Sequence, residues 1–504
     1  MKRGSGRKTQ GLLIAIALLF AILAPAVPAD AGRPGEVPAS VESILDVGGS
    51  VNGKMKSLAS GTIVDQFAET NDIKAIRMAD SLPAGFVPTE ANTVSTPQSK
   101  VPVYIFFDNT NGAGILYFYT EDDTVVMNPD SSYLFAGNKA LTDLSGIAGW
   151  DATYVYSFFG AFGNNPSLPD LAPLAGWNTG ALTNLGRAFA GNTALTDISA
   201  LANWNTSGVT SMQGLFSGDK SLPDALALRN WDTSRVTNMS YMFSNNISLQ
   251  FVDVSNWNTG SVTTMASMFQ VGESWKANGQ LIEINGLGDL DVSNVTDMTC
   301  MFYGAGQMTY YDVSRWNVSK VESMNHMFCD NFTLRSLDLS NWDVSSLKTV
   351  YCMFDDNKKL LTIGDVSHWN TASLIDAGAW LNNACSFVGD NYGTLDLSGW
   401  DTSSLKSAGE MFFNIKCRTL DLSGWTFDAM TNDVWEGTGR GIFYETGNMQ
   451  EEYKGMGAML RHTPNLITVY VSQAGMDSFL AAQERGVNTE NFGAGCPAGR
   501  FTVK

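Results

Sequence analysis

Leu334-Arg-Ser-Leu337-Asp-Leu339-Ser-Asn-Trp342-Asp-Val344-Ser-Ser-Leu347-Lys-Thr-Val350-Tyr-Cys-Met353-Phe354 decides how this chain folds. Leu337 and Leu339 alternate with Asp338 and Ser340, the two-residue period of a strand with one face turned inward. After Trp342, Asp343-Val344-Ser345 is a turn- and cap-forming cluster. Leu347, Val350, Met353 and Phe354 then recur at three- and four-residue steps, which predicts one face of a short helix. One unit upstream, Ser319-Lys-Val-Glu322 has the spacing of a capping box. The stretch reads as strand, turn, helix, turn.

The unit repeats. Tryptophan recurs at Trp150, Trp177, Trp204, Trp231, Trp257, Trp316, Trp342, Trp369, Trp400 and Trp425, with Leu290 in the same phase and steps of 25 to 33 residues. Phenylalanine stands twelve places after most of these anchors, from Phe162 to Phe354 and again at Phe412, and Leu381 substitutes after Trp369. A fixed period of this size marks a solenoid, because a single coil cannot bury its apolar face and stacked coils share one interior. Each coil offers six or seven inward side chains, worth about 1.5–3 kcal/mol apiece before entropy is charged. The tryptophans read as core wedges rather than as stacking platforms for a ligand. The expected fold class is α/β, a leucine-rich-repeat-like solenoid with a parallel β-sheet on one face and short helices on the other.

Leu334-x-x-Leu337-x-Leu339-x-x-Trp342 has leucine-rich-repeat spacing, with tryptophan where the common repeat keeps the asparagine of its backbone-bonding ladder. With Met353-Phe354 following, and with the lead-in Ile105-Phe-Phe-Asp108, Ile115–Tyr119 and Asn128–Phe135, the chain resembles the BspA-like leucine-rich repeat surface proteins of bacteria over residues 101–470. The resemblance implies a secreted or surface-displayed repeat protein used for adhesion or partner binding, and it brings no catalytic residues with it.

Outside the repeats, Lys2, Arg3, Arg7 and Lys8, then the apolar run Leu12–Ala24, then Ala29-Asp-Ala31 read as a signal peptide over residues 1–31. No second membrane-spanning run follows, so the expected location is secreted or at the cell surface. Residues 32–100 are mixed, carry the pattern of an amphipathic helix around Ile63–Met78, and have no assigned role. Residues 101–122 read as a β-hairpin cap turning at Asn111-Gly112. Residues 123–425 hold the tandem repeats, and 426–504 a degenerate last repeat and tail.

The chain has 504 residues, 50 acidic against 31 basic, a net charge of −19, and only three histidines far apart in sequence. Phosphate-neutralising nucleic-acid binding is disfavoured, as is chemistry that needs paired imidazoles. No nucleophile with a base stands out, and Gly437-Thr-Gly439-Arg-Gly441 lacks the lysine of a phosphate loop. No catalytic residue, resident metal or cofactor is expected. Asp253, Asp312, Asp338, Asp365, Asp396 and Asp421 stand four places before the anchors and should face outward as a column. The column has two readings: a solvated polar face, or an acidic ridge that binds calcium weakly or receives a basic patch. A second row directly after the anchors, from Asn178 to Asp401, reads as turn chemistry. Among six cysteines, Cys385 and Cys417 are the best-phased pair for a disulfide, with reduced thiols as the alternative.

The function expected from this sequence is non-catalytic recognition of a protein or glycan, on another cell or in the extracellular matrix. The alternatives are a carboxylate-based glycoside-acting enzyme with the repeats as substrate module, or a structural surface-layer component.

Overall fold

The computed structural model describes residues 37, 42–272, 279–384, 386–387, 393–432, 455–490, 492–493 and 501–504. The expected signal segment and the Gly437–Gly441 run lie outside the described residues. One hydrophobic core runs without a break from Leu45 to Val487 and contains every anchor from Trp150 to Trp425, Leu290 included.

The coils join through two parallel ladders. On one side, strand residues pair from coil to coil, in places through single bridges such as Asp170 with Asp197 and Tyr310 with Ser336. Elsewhere the pairing lengthens to three residues: β4 (Phe251–Asp253) with β5 (Glu283–Asn285), and β6 (Thr394–Asp396) with β7 (Thr419–Asp421). β7 continues the sheet to β8 (Thr468–Val471), which pairs with β9 (Thr502–Val503). The alternation is as the leucines require, since Leu337 and Leu339 are buried and Asp338 is exposed.

The other side corrects the expected helices. Val350, Cys352 and Phe354 do not bond backward along a helix. They donate their amide N–H groups to Asp376, Gly378 and Trp380 of the next coil at 2.9–3.0 Å. Cys352 and Asp356 take left-handed backbone angles, φ 53° and 57°. The same two phases are left-handed in other coils, for example Arg187 (55°) and Gly191 (81°), so a right-handed helix cannot form there. The spacing that mimics a helix face arises from successive i to i+3 turns, such as Ala161 N–H to the Phe158 carbonyl and Gly163 N–H to that of Gly160. Nor do Ser319 and Glu322 form a capping box: Ser319 bonds Asn317, and Glu322 donates its N–H to Thr296 in the preceding coil. Within the first coils a three-residue 3-10 turn precedes each anchor, as at Ser145–Ile147 and Ala172–Leu174.

The anchors do more than fill space. The indole N–H of each of nine tryptophans donates to the carbonyl three places before the previous anchor, from Trp177 to Ile147 (3.2 Å) through to Trp425 to Leu397 (3.0 Å). Beneath them the phenylalanines from Phe162 to Phe354 stack with centroids 5.5–6.0 Å apart and planes within 15°.

A buried amide ladder is present at a different phase from that of the common repeat, fifteen places after the anchor. Asn138 donates its backbone N–H to Asn165 Oδ1 (2.8 Å), and Asn165 to Asn192 Oδ1 (2.9 Å). Farther along, Asn331 bonds Asn357 in the same way (3.0 Å).

The N-terminal end is closed by α1 (Gly48–Ser60), β1 (Ala75–Met78), β2 (Tyr104–Asp108) and β3 (Ile115–Tyr119). β2 and β3 are antiparallel, and β1 pairs parallel with β3. Ala75 also bridges to Asp143 of the first coil, where Arg77 and Asp143 form an ion pair. The amphipathic helix expected around Ile63–Met78 is absent. Asp65 Oδ1 accepts the N–H groups of Phe67 and Ala68 in a turn, and Ala75–Met78 is drawn into the sheet. At the other end, α2 (Gln473–Glu484) begins on a cap in which Ser472 accepts the Gly475 N–H.

Candidate functional site

The strand face carries the aspartates singled out from the sequence, and their first employment is structural. Oδ1 accepts the amide N–H two residues on in Asp253 (3.0 Å), Asp338 (3.1 Å), Asp365 (3.0 Å), Asp396 (2.9 Å) and Asp421 (3.0 Å). The carboxylate's other oxygen is left to face solvent or a cation.

The row is not the uniform open column that the phase implied. Asp253 and Asp421 are buried, and each meets a cation, Arg229 Nε at 3.4 Å and Lys504 Nζ at 2.7 Å. Burial alone would raise the Asp253 carboxyl, but the Ser255 hydroxyl and amide, Asn285 and Arg229 override it and hold it below the ordinary carboxylate range. At Asp421 burial is likewise overridden, by Lys504 and Ser423. Asp312 lies 3.8 Å from Arg315, which it shares with Asp289. Asp365 is offset: Ser336 bridges Thr362, so Gly364 stands level with Asp338. Gly364 sits at φ 80°, and a Cβ there would come within 2.8 Å of Asp338 Oδ1 and 2.6 Å of Ser340 Oγ. The open acidic stretch therefore reduces to Asp312, Asp338, the displaced Asp365 and the half-exposed Asp396. Bonds from Ser367 hold the Asp365 carboxyl below its usual range. Among the described residues, no grouping of three or more His, Cys, Asp or Glu side chains suits a metal ion.

Beside this stretch lies an apolar row that the sequence reading did not isolate. Phe251 and Tyr310 point the same way as Asp253 and Asp312, two residues on, while Val252 and Tyr311 between them are buried. Ile282 and Leu361 are exposed one place earlier in their coils, since Phe251 pairs with Glu283 and Ser336 bridges Tyr310 and Thr362. All four are between 38% and 49% exposed, far above the anchors. Strand parity was the available signal for Phe251 and Tyr310, whereas Ile282 and Leu361 share the parity of the buried Ile284 and Ile363 and left no such trace.

The post-anchor row is turn chemistry: Asn205 Oδ1 accepts from Ser207 N (3.1 Å), Asp343 from Ser345 N (3.0 Å) and Asp401 from Ser403 N (2.9 Å). Cys385, one half of the expected disulfide, lies outside the described residues, and Cys417 is buried. Cys300, Cys329 and Cys352 are also buried, and burial pushes the thiols of Cys300 and Cys329 well up. No helix among the described residues is long and apolar enough to cross a membrane.

A family described as "Mycoplasma protein of unknown function, DUF285" matches residues 129–200, 183–284, 276–394 and 365–437, together more than half of the chain. No curated protein matches. Among solved structures, the functional domain of InlJ from Listeria monocytogenes is similar at 12% identity and TM-score 0.19, covering 68% of this chain and 64% of that one. A leucine-rich repeat protein from Bacteroides ovatus is similar at 12% identity and TM-score 0.21, covering 59% of this chain and 76% of that one. The chain thus spans about two thirds of the length of the Listeria domain.

Proposed function

This chain belongs to the DUF285 family, and from that premise we propose that its stacked coils form a non-catalytic solenoid, displayed outside the cell, that recognises a partner through the strand face. The observation that carries this reading is the exposure of Phe251, Ile282, Tyr310 and Leu361 beside Asp338 and Asp365, above a core that needs none of them for its closure. A protein that only kept its sheet polar would not expose aromatic and branched aliphatic side chains at the strand side of four coils out of five in succession. Aromatic anchors rimmed by charge are what a recognition surface uses. The acidic edge favours a basic segment of a protein partner, as a surface adhesin of the BspA-like type would engage. Weak calcium binding at the same edge is the accessory reading.

The test is binding of the purified chain to extracellular-matrix and mucin fractions, with and without a calcium chelator. A Phe251→Ser/Tyr310→Ser variant and an Asp338→Asn/Asp365→Asn variant are measured alongside. Loss of binding in both variants with unchanged melting is the expected result. Binding that survives both variants would place recognition elsewhere.

A further inference from the structure

The amide ladder contains one residue that does not match it. Its rungs are Asn138, Asn165, Asn192, Asp219 and Asn246. Asp219 Oδ1 behaves as an amide oxygen would, accepting the Asn192 backbone N–H at 2.7 Å, and the Asp219 N–H donates to Asn246 Oδ1 at 2.8 Å. The difference lies in the second polar atom. At Asn138 and Asn165 the side-chain NH2 donates to the carbonyl three residues back, Phe135 and Phe162, both at 2.8 Å, and Asn192 bonds the Phe189 carbonyl in the same way. The equivalent carbonyl for Asp219 is that of Phe216. Asp219 Oδ2 is buried and has no hydrogen-bond partner, and the residue as a whole is 0% exposed; at the next rung Asn246 Nδ2 is also unpartnered, but as a donor it does not oppose the carbonyl it faces. An ionised carboxylate would set an acceptor against an acceptor in a dry interior, whereas a protonated one donates as the amide does.

We propose that Asp219 is a neutral carboxylic acid in the folded chain, whose proton completes the ladder at Phe216, and that its ionisation loosens the stack at this coil. The groups that face it are the amides Asn192 and Asn246 from the two adjoining coils, and Lys220 beside it in sequence is exposed. Burial raises its pKa well above the ordinary value, opposed only by the N–H groups of Asn192 and Gly191, and no charged side chain enters the balance. A carboxyl whose folded pKa is raised lets the folded state hold the extra proton. Its contribution is therefore complete below the unfolded value near pH 4, and is lost as pH rises through the folded value. The seam is a pH-dependent weak point in a ladder whose four other rungs carry amides.

The test is hydrogen exchange of the full chain against Asp219→Asn, followed at the Asn192 and Asp219 amides from pH 4 to pH 8, each pair of samples at one pH so that intrinsic chemistry cancels. Infrared spectra at pH 7 accompany it. The expected ratio of exchange, native over variant, is near one at pH 4 and grows by up to tenfold per pH unit above it. The variant should also lose one neutral-carboxyl band. A pH-independent ratio, an unchanged band, or a variant that fails to fold would each overturn the proposal, since asparagine already serves at four other rungs.

Discussion

The indole Nε1 of Trp342 donates to the carbonyl of Val313, 29 residues earlier, at 2.9 Å. Both groups are buried, so the bond fixes one coil to the one before it at a point water does not reach. Trp342→Phe keeps most of the packing but removes the donor. The Val313 carbonyl retains the Trp316 N–H at 3.2 Å, so the expected loss is about 1–2 kcal/mol rather than the full cost of an orphaned group. Trp342→Ala should cost about 3–5 kcal/mol by adding a cavity. Denaturant unfolding of the two variants checks both values.

Lys56 is fully buried in α1, its Nζ donating to the Gln66 carbonyl at 2.9 Å. Burial lowers its pKa to about 8, against the pull of Asp65 and Glu69. A lowered lysine value means that the charged form is penalised below about pH 8, and that the penalty fades as pH rises towards the unfolded value. Gln66 keeps a second donor in Asn52 Nδ2 (3.2 Å), so Lys56→Met leaves no orphaned carbonyl. The substitution should raise stability at pH 7 by on the order of 2 kcal/mol, with the gain shrinking above pH 8; thermal melts at pH 7 and pH 10 measure it.

Gly214 occupies a left-handed position, φ 61°, that other coils fill with Arg187 or Tyr241. A Cβ at Gly214 would meet Arg187 Cγ at 3.2 Å, so the arginine stem must give by a few tenths of an ångström in addition to the strain of positive φ. Gly214→Ala should cost about 1–2 kcal/mol, and Gly214→Val distinctly more, because branching at Cβ is poorly tolerated at positive φ. Equal losses in the two variants, read by chemical unfolding, would contradict the strained geometry.

Asp253 and Asp421 have depressed carboxyl values, so their contribution is present above the unfolded value and is lost as pH falls through the folded one. Asp253→Asn and Asp421→Asn should each flatten the loss of stability below about pH 4, while lowering stability at pH 7. Melting temperatures at pH 3 and pH 7 decide it.

The coil period, the inward leucines and the tryptophan phase were legible because burial leaves a periodic trace in residue type. Val350, Met353 and Phe354 misled because successive tight turns return apolar residues to the core at helix-like steps, and positive φ at Cys352 or Arg187 is not encoded by glycine. The ladder at Asn165 and Asn192 went unread because an asparagine in a turn and one in a core look alike in sequence. The acidic row was half legible: parity placed it outward, but the ion pairs of Asp253 with Arg229 and Asp421 with Lys504, and the displacement of Asp365 by Gly364, depend on neighbouring coils.

Everything functional rests on consecutive coils lying one on another in the register that Leu361 N–H to the Arg335 carbonyl, 2.8 Å, and Arg335 N–H to the Thr309 carbonyl, 2.9 Å, define. The most direct measurement is oxidative cross-linking of paired cysteines at these three exposed positions. Arg335→Cys/Leu361→Cys, in adjoining coils about one strand spacing apart, should form a disulfide readily, and Thr309→Cys/Leu361→Cys, two coils apart, should not. A bond in the second pair and none in the first would contradict the stacked register.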